Sequence, residues 1–241
     1  MTLTDNNPPI LLEELKAGKI LAVNKPADWT SFDVVNKLRR VSKIKKVGHA
    51  GTLDPFATGL LLICFAKATK QVNELVDLEK EYEGTIVLGT ETDTHDLTGK
   101  IRATHSVPEL KIEDLENVIA HYRGEIEQIP PMYSAVKHKG QRLYQLARKG
   151  KQVERPARKV KIFRFDILSL NKTSFDFRIV CSKGTYIRAL ARDIGRELGC
   201  GAYVHRLVRT RIGSYRLEHA WDLDALVKQI KSQHFDNGNI R

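Results

Sequence analysis

The stretch GHAGTLDPFATGLLLICFAKATK, residues 48 to 70, sets a single carboxylate between a glycine-bearing turn and an unbroken apolar run. LLLICFA lies between Gly59 and Lys67. A run this short and bounded by glycine predicts a strand buried on both faces, not a helix. Gly51 permits a positive φ, and Pro55 pushes Asp54 towards an extended conformation. The acid is therefore expected on a stiff turn above the end of a buried strand. Taken alone, a Leu-Asp-Pro turn carries no chemistry, because Asp favours turns on conformational grounds.

Working outward, ILAV (20–23) reads as a strand ending in a turn at Lys25-Pro26. Thr30 and Asp33 form a capping-box pattern that opens a helix with Val34, Val35, Leu38 and Val41 on one face. Thr69 is expected to cap a helix bearing Val72, Leu75 and Val76. EYEGTIVLG is a predicted strand, followed by a polar loop, TETDTHDLTGK. That loop fails the EF-hand spacing, since the twelfth position from Asp93 is Thr104. KIEDLENVIAHYRG reads as a helix and IPPMYSA as extended chain. KVKIFRFDILSL and SFDFRIVCS alternate as strands, and GTYIRALARDIGRELGCG is a helix closed by Gly199. HRLVRTRIGSYRLEHA supplies two short strands and WDLDALVKQI a last helix. The absence of regular βαβ alternation points to an α+β fold with a mixed sheet. Residues 1–228 are expected to form one domain. Residues 229–241 read as a short polar tail, too few for a further domain.

The 241 residues are 41% hydrophobic and 29% charged, with three cysteines in no CxxC spacing. A disulfide framework and a zinc cage are not expected. No secretory signal or membrane span is legible, and a cytoplasmic protein is expected. The net charge of +11 is unevenly spread. Residues 137–164 hold eleven Lys or Arg against Glu154 alone, and KLRRVSKIKK (37–46) holds six basic residues and no acid. A solvated helix face would intersperse acids, so this pattern is the footprint of a polyanion binder. There is no Walker A motif, dinucleotide fingerprint, HExxH or GxSxG.

GHAGTLDPFATGLL, EYEG, SKGTYIRALARDIG, NKPADWTS and QIPPMYSAVKHKGQRLYQLARKG occur in an order that resembles the TruB family of RNA pseudouridine synthases. The resemblance runs from about residue 18 to about residue 225. It implies the pseudouridine synthase fold, with a mixed, largely antiparallel central sheet flanked by helices. It implies isomerisation of uridine to pseudouridine at position 55, in the T-loop of tRNA. The base is detached at N1, turned and rejoined through C5. A glycosidase usually needs two carboxylates. Here no water enters and the departing uracil spreads its own charge, so one acid suffices. By resemblance that acid is Asp54, acting as a nucleophile on sugar or base, or as a general base.

The resemblance also assigns substrate contacts. Tyr82 would pack on the target base, Tyr186 would contact substrate, and Leu207 would line the pocket. Arg188 would pair with the acid, and His49 would help hold the extruded nucleotide. Lys25 and Pro26 belong to the first motif and are expected to support the pocket. Arg192 and Arg196 read as surface arginines of the same helix as Arg188. No metal or organic cofactor is implied. The expected partner is the tRNA T-arm, bound by a monomer without an obligatory protein partner. A non-catalytic RNA-binding protein would need none of Asp54, Tyr82 and Arg188, and a carboxylate hydrolase would want a second acid in a comparable motif.

Overall fold

The computed structural model describes residues 9–134, 136–138 and 140–236. From the N-terminus the chain runs α1 (Leu12–Gly18), β1 (Ile20–Lys25), α2 (Ser31–Ser42), β2 (Val47–Ala50) and β3 (Thr58–Phe65). A 3₁₀ turn (Ala66–Gln71) leads into α3 (Val72–Asp77), β4 (Lys80–Leu88), β5 (Thr90–Thr92), β6 (Ile101–Thr104), α4 (Ile112–Ala120) and β7 (Gly124–Gln128). Then come β8 (Lys137–His138), β9 (Gln141–Arg142), α5 (Leu143–Arg148), β10 (Arg158–Asn171) and β11 (Ser174–Cys181). The chain closes with α6 (Ile187–Glu197), β12 (Ala202–Ile212), β13 (Tyr215–Arg216), β14 (Trp221–Asp222) and α7 (Leu223–Asp236). Two compact units divide these elements, Met1–Tyr82 with Val208–Arg241, and Glu83–Leu207. The boundaries fall inside β4 and β12.

In the first unit β3 is the organising strand. It pairs antiparallel with β1 and β2 and parallel with β12, and β1 pairs parallel with β14. Its odd residues Leu61, Ile63 and Phe65 join a core with Leu15, Val34, Leu38 and Leu226, drawn from α1, α2 and α7. Its even residues Leu60, Leu62 and Cys64 join a second cluster with Leu75, Ile212 and Ala220. Burial on both faces explains the unbroken apolar run, because a strand sends alternate side chains to opposite sides. The α2 capping box forms as expected: Thr30 Oγ1 accepts from the Asp33 N–H, and the Asp33 carboxylate accepts from the Thr30 N–H.

The second unit is antiparallel: β10 pairs with β11 on one side and β7 on the other. Phe165, Phe175 and Phe177 stack edge-to-face across β10 and β11, with centroids 6.0 and 6.5 Å apart. Together the pairings bear out the α+β expectation of a mixed, largely antiparallel sheet with flanking helices. Gly199, at φ +73°, ends α6 as the sequence predicts.

Three expectations are corrected. Thr69 is no helix cap; its hydroxyl donates to the Ala66 carbonyl inside the 3₁₀ turn. TETDTHDLTGK is not wholly loop, since Thr90–Thr92 pairs with Ile101–Thr104 as a hairpin. The last helix passes the expected start of the tail at 229, with Ile230 buried in the core. Residues 237–241 of that expected tail lie outside the described residues. Gln233 explains the continuation: its Oε1 accepts from the Leu12 N–H at 2.6 Å and its Nε2 donates to the Ile10 carbonyl. Gln233→Ala leaves both groups without this partner, at a cost of about 1–3 kcal/mol. The thermal midpoint is expected to fall by about 3–10 °C. A midpoint within about 1 °C of wild type would show that the end of α7 contributes nothing to the fold.

Candidate active site

Asp54 sits half-buried on the loop that enters β3. Three buried polar side chains fix that loop. Lys25 Nζ, wholly buried, donates to the carbonyls of Pro26 (2.7 Å), Trp29 (2.7 Å) and Pro55 (3.0 Å). Ser31 Oγ accepts from the Leu53 N–H at 2.9 Å and donates to the Leu53 carbonyl at 3.2 Å. Arg209, only 1% exposed, donates to the carbonyls of Leu60 (2.7 Å), Gly51 (3.1 Å) and Thr52 (3.4 Å). Pro55 also accepts from the Asp28 N–H, and the Ala57 N–H closes a turn onto the Asp54 carbonyl at 3.1 Å. The backbone on both sides of the acid is thus held by long-range hydrogen bonds.

The strand beneath is equally constrained. Arg209 pairs with Gly59 in parallel register, and a Cβ at Gly59 would lie 2.4 Å from the Arg209 carbonyl oxygen. No real side chain fits there, which accounts for the glycine that opens the apolar run. Gly51 has φ +82°, the left-handed turn anticipated from its sequence.

His49 and Tyr82 belong to the same unit. His49 is half-buried on β2, opposite Ile63. Burial, and then the Arg209 cation, push its pKa below the ordinary histidine value, with the Gly51 backbone opposing. Its imidazole is neutral at physiological pH. Tyr82 is buried on β4, on the same face as Lys80, which donates to the carbonyls of Val76 and Leu78. Leu207, Tyr186 and Arg188 belong to the second unit. Leu207 is 4% exposed on β12. Tyr186 precedes α6, and the Gln128 amide clamps its backbone, accepting from the Tyr186 N–H at 2.7 Å and donating to its carbonyl at 3.1 Å.

Arg188 is 3% exposed and its guanidinium is firmly placed. Nη1 donates to the Thr94 carbonyl (2.9 Å) and Nη2 to the Tyr133 carbonyl (2.8 Å), while Nε lies 3.6 Å from Asp96 Oδ2. Asp96 is itself buried and accepts from the Thr94 and Thr98 hydroxyls at 2.7 and 2.6 Å. The loop that fails as a calcium site instead presents this acid to Arg188. Arg192 is not the surface residue expected: it is 7% exposed, donates to the Ile129 carbonyl and forks onto Asp193. Arg196 is exposed as expected. Burial, followed by Arg192 and Arg188, brings His95 down to about 4, so this region is positive without any help from histidine. Sequence reading missed Ser31, Gln128, Asp96 and Arg209. No cluster of His, Cys, Asp and Glu that could hold a metal occurs among the described residues.

The family model described as TruB family pseudouridylate synthase (N terminal domain) matches residues 39–187, and the tRNA pseudouridylate synthase B C-terminal domain matches residues 188–240. The chain belongs to the TruB pseudouridylate synthase family. Its relatives include the tRNA pseudouridine synthase B of Francisella philomiragia subsp. philomiragia, 50% identical over 213 residues, which cover 88% of this chain and 70% of that protein. That of Clostridium tetani is 47% identical over 205 residues, 85% of this chain and 71% of the relative. Among solved structures, a Cbf5–Nop10–Gar1 complex contains a chain that superposes with a TM-score of 0.73 at 28% identity. The match covers 99% of this chain and 63% of that one, so this TruB-family chain spans less than two thirds of its length. The fold expected from the resemblance is the fold observed. No described helix is long and apolar enough to cross a membrane.

Lys25 supplies a sharp test of the loop's construction. Burial lowers its pKa from 10.5 to about 8, against the raising influence of Asp54 and Asp28. Between these values the unfolded chain holds a proton that the folded chain lacks. This group's contribution to stability therefore rises with pH across that window and is lost as pH falls through about 8. NMR of the Lys25 side chain should give a midpoint near 8. A midpoint above about 10 would mean that the ammonium is solvated.

Proposed function

We propose that this protein isomerises uridine to pseudouridine in the T-loop of tRNA, at position 55, with Asp54 as its catalytic carboxylate. The observation that supports this most is that Asp54, which lies inside the segment matched by the N-terminal family model, is rigidly presented by Lys25, Ser31 and Arg209. Such preorganisation serves chemistry, since a nucleophile or base must be held within a fraction of an ångström of its productive position. Because the base returns to the same sugar, no water has to be activated and no second acid is required. Arg188 is read as the cation that pairs with the acid. Its planar fork suits a carboxylate, and its own backbone and Asp96 contacts fix its direction.

Tyr82 is read as packing on the base, Tyr186 and Leu207 as shaping its pocket, and neutral His49 as holding the extruded nucleotide by packing and hydrogen bonding. A uracil in a structured loop cannot offer both N1 and C5 chemistry while stacked, so it is flipped out. The basic segments 37–46 and 137–164 are read as holding the T-arm phosphates meanwhile. We read the protein as a cytoplasmic monomer that needs neither a metal, an organic cofactor nor an obligatory protein partner. The 50% identity to a tRNA pseudouridine synthase B, against 28% to a protein solved with Nop10 and Gar1, favours this over a partner-dependent enzyme.

The test is incubation of the purified protein, alone, with an unmodified tRNA transcript, followed by pseudouridine mapping. Asp54→Asn is nearly isosteric but can neither attack nor accept a proton, so turnover should fall below about a hundredth of wild type while RNA binding stays within a few-fold. Turnover above that level removes Asp54 from the role. Arg188→Lys keeps the charge but loses the fork, so the single-turnover rate should drop. An unchanged rate would leave Arg188 as scaffold only. Affinity should also fall steeply with salt. Replacing Arg148, Lys149 and Lys151 together should flatten the log–log slope by about 0.7–0.9 for each phosphate that is no longer neutralised. An unaltered slope would show that the segment does not touch RNA.

A further inference from the structure

We propose that Phe32, with Arg39 over its ring, is a stacking platform on the first unit for an unpaired nucleobase of the RNA next to the uridine being modified. The proposal deepens the functional reading above and rests on it. Phe32 is 57% exposed on α2, whose other large apolar side chains Val34, Val35 and Leu38 are in the core. The Arg39 guanidinium carbon lies 5.9 Å from the ring centroid, within cation–π range. That guanidinium is not loose: Nη1 donates to Asn36 Oδ1 at 3.2 Å and Nη2 to the Val47 carbonyl at 3.0 Å. One face of the ring is therefore braced by a fixed cation, and much of the ring is open to solvent.

The charge around it selects the ligand. Arg40, Lys43, Lys45 and Lys46 are exposed and Lys37 is half-exposed on the same helix and the loop after it. The acids of this helix and of the turn before it are Asp33, whose carboxylate is occupied in capping Thr30, and Asp28. An exposed aromatic among cations suits a base with its phosphate and suits an apolar protein surface poorly. Position links the platform to the chemistry. Ser31, the residue before Phe32, bonds both backbone groups of Leu53, the residue before Asp54. An RNA with its target base at Asp54 would therefore bring its neighbouring nucleotides close to this corner. A flipped base leaves an adjacent base without a stacking partner, and a phenyl ring replaces it.

The experiment compares Phe32→Ala, Phe32→Leu and Phe32→Tyr, each checked for an unchanged thermal midpoint, in binding to a T-arm stem-loop RNA. A second arm uses the same RNA carrying 2-aminopurine at each loop position in turn. Stacking predicts a loss of affinity of about fivefold to a hundredfold for Phe32→Ala and a similar loss for Phe32→Leu, with Phe32→Tyr close to wild type. It also predicts that one 2-aminopurine position is quenched by wild type and relieved in the Ala and Leu variants. The salt slope should not change, because every phosphate keeps its cation. Ala and Leu variants that bind like wild type would overturn the proposal, as would rescue by Leu, which would assign the residue to an apolar protein contact. These readings are of binding alone, so failure of the wild type to form pseudouridine would strike the functional reading and not this one.

Discussion

Two buried cations and the carbonyl oxygens they grip govern the first unit. Lys25 gathers three carbonyls from the two loops that meet at Pro55, and Arg209 gathers three more from the loop before Asp54 and the strand after it. Burying a charge is unfavourable, and the penalty is offset only when its donors are satisfied. The depressed pKa of Lys25 is the mark of that penalty. The arrangement also works in reverse, since carbonyls in a loop cannot pair in a sheet and need donors from somewhere. Removing either cation would orphan several of them at once. Charge burial here is the means by which an irregular loop becomes as fixed as a strand. Gly59 follows from it, because the strand carrying Arg209 must approach too closely for any Cβ.

The second unit solves the same problem with different groups. Arg188 is stationed by two carbonyls and the buried Asp96, and the backbone of Tyr186 is held by the Gln128 amide. In each unit the residues expected to meet substrate are not those that do the holding. Asp54, Tyr186 and Arg188 are placed; Lys25, Ser31 and Arg209 place the first, Gln128 the second and Asp96 the third. Substituting the second set would damage the site without touching the chemistry, so rate losses there need a stability measurement beside them.

The sequence is legible where the physics is local. β3, β10 and β11 follow from runs and alternation, α2 from its capping box, and the end of α6 from Gly199. Asp54, Tyr82 and Arg188 stand out through ordered motifs, which carry long-range information that a window of residues lacks. What stays hidden depends on contacts between distant residues. Arg209 bonds a carbonyl 158 positions away, and no periodicity reveals that. Arg192 reads as a surface arginine because its neutralising partner is simply the next residue, Asp193. α7 marks the limit most clearly. Leu226, Val227, Ile230, Gln233 and His234 keep a helical period, but the last two inward positions are polar and direct their hydrogen bonds to Ile10, Leu12 and Val41. A pattern drawn from apolar residues alone ends at Ile230.

The basic segments show the same gap between a residue count and an arrangement in space. Charge counts describe them as generic polyanion binders, and a polyphosphate or an acidic protein would satisfy such a count. The structure adds aromatic rings beneath the cations: Phe32 under Arg39 beside the first segment, and Tyr144 under Arg148 and Phe163 under Lys161 within the second. Phe32 and Phe163 are each half-exposed or more. Single exposed rings are ordinary on a protein surface, but rings set beneath cations suit a ligand that is both planar and anionic. A single-stranded or looped nucleic acid offers both properties in one repeating unit, with phosphates for the cations and bases for the rings. Lysines and arginines alone would hold such a chain without fixing where along its length it sits. Rings that accept only unstacked bases give the register that moving one base into a site requires.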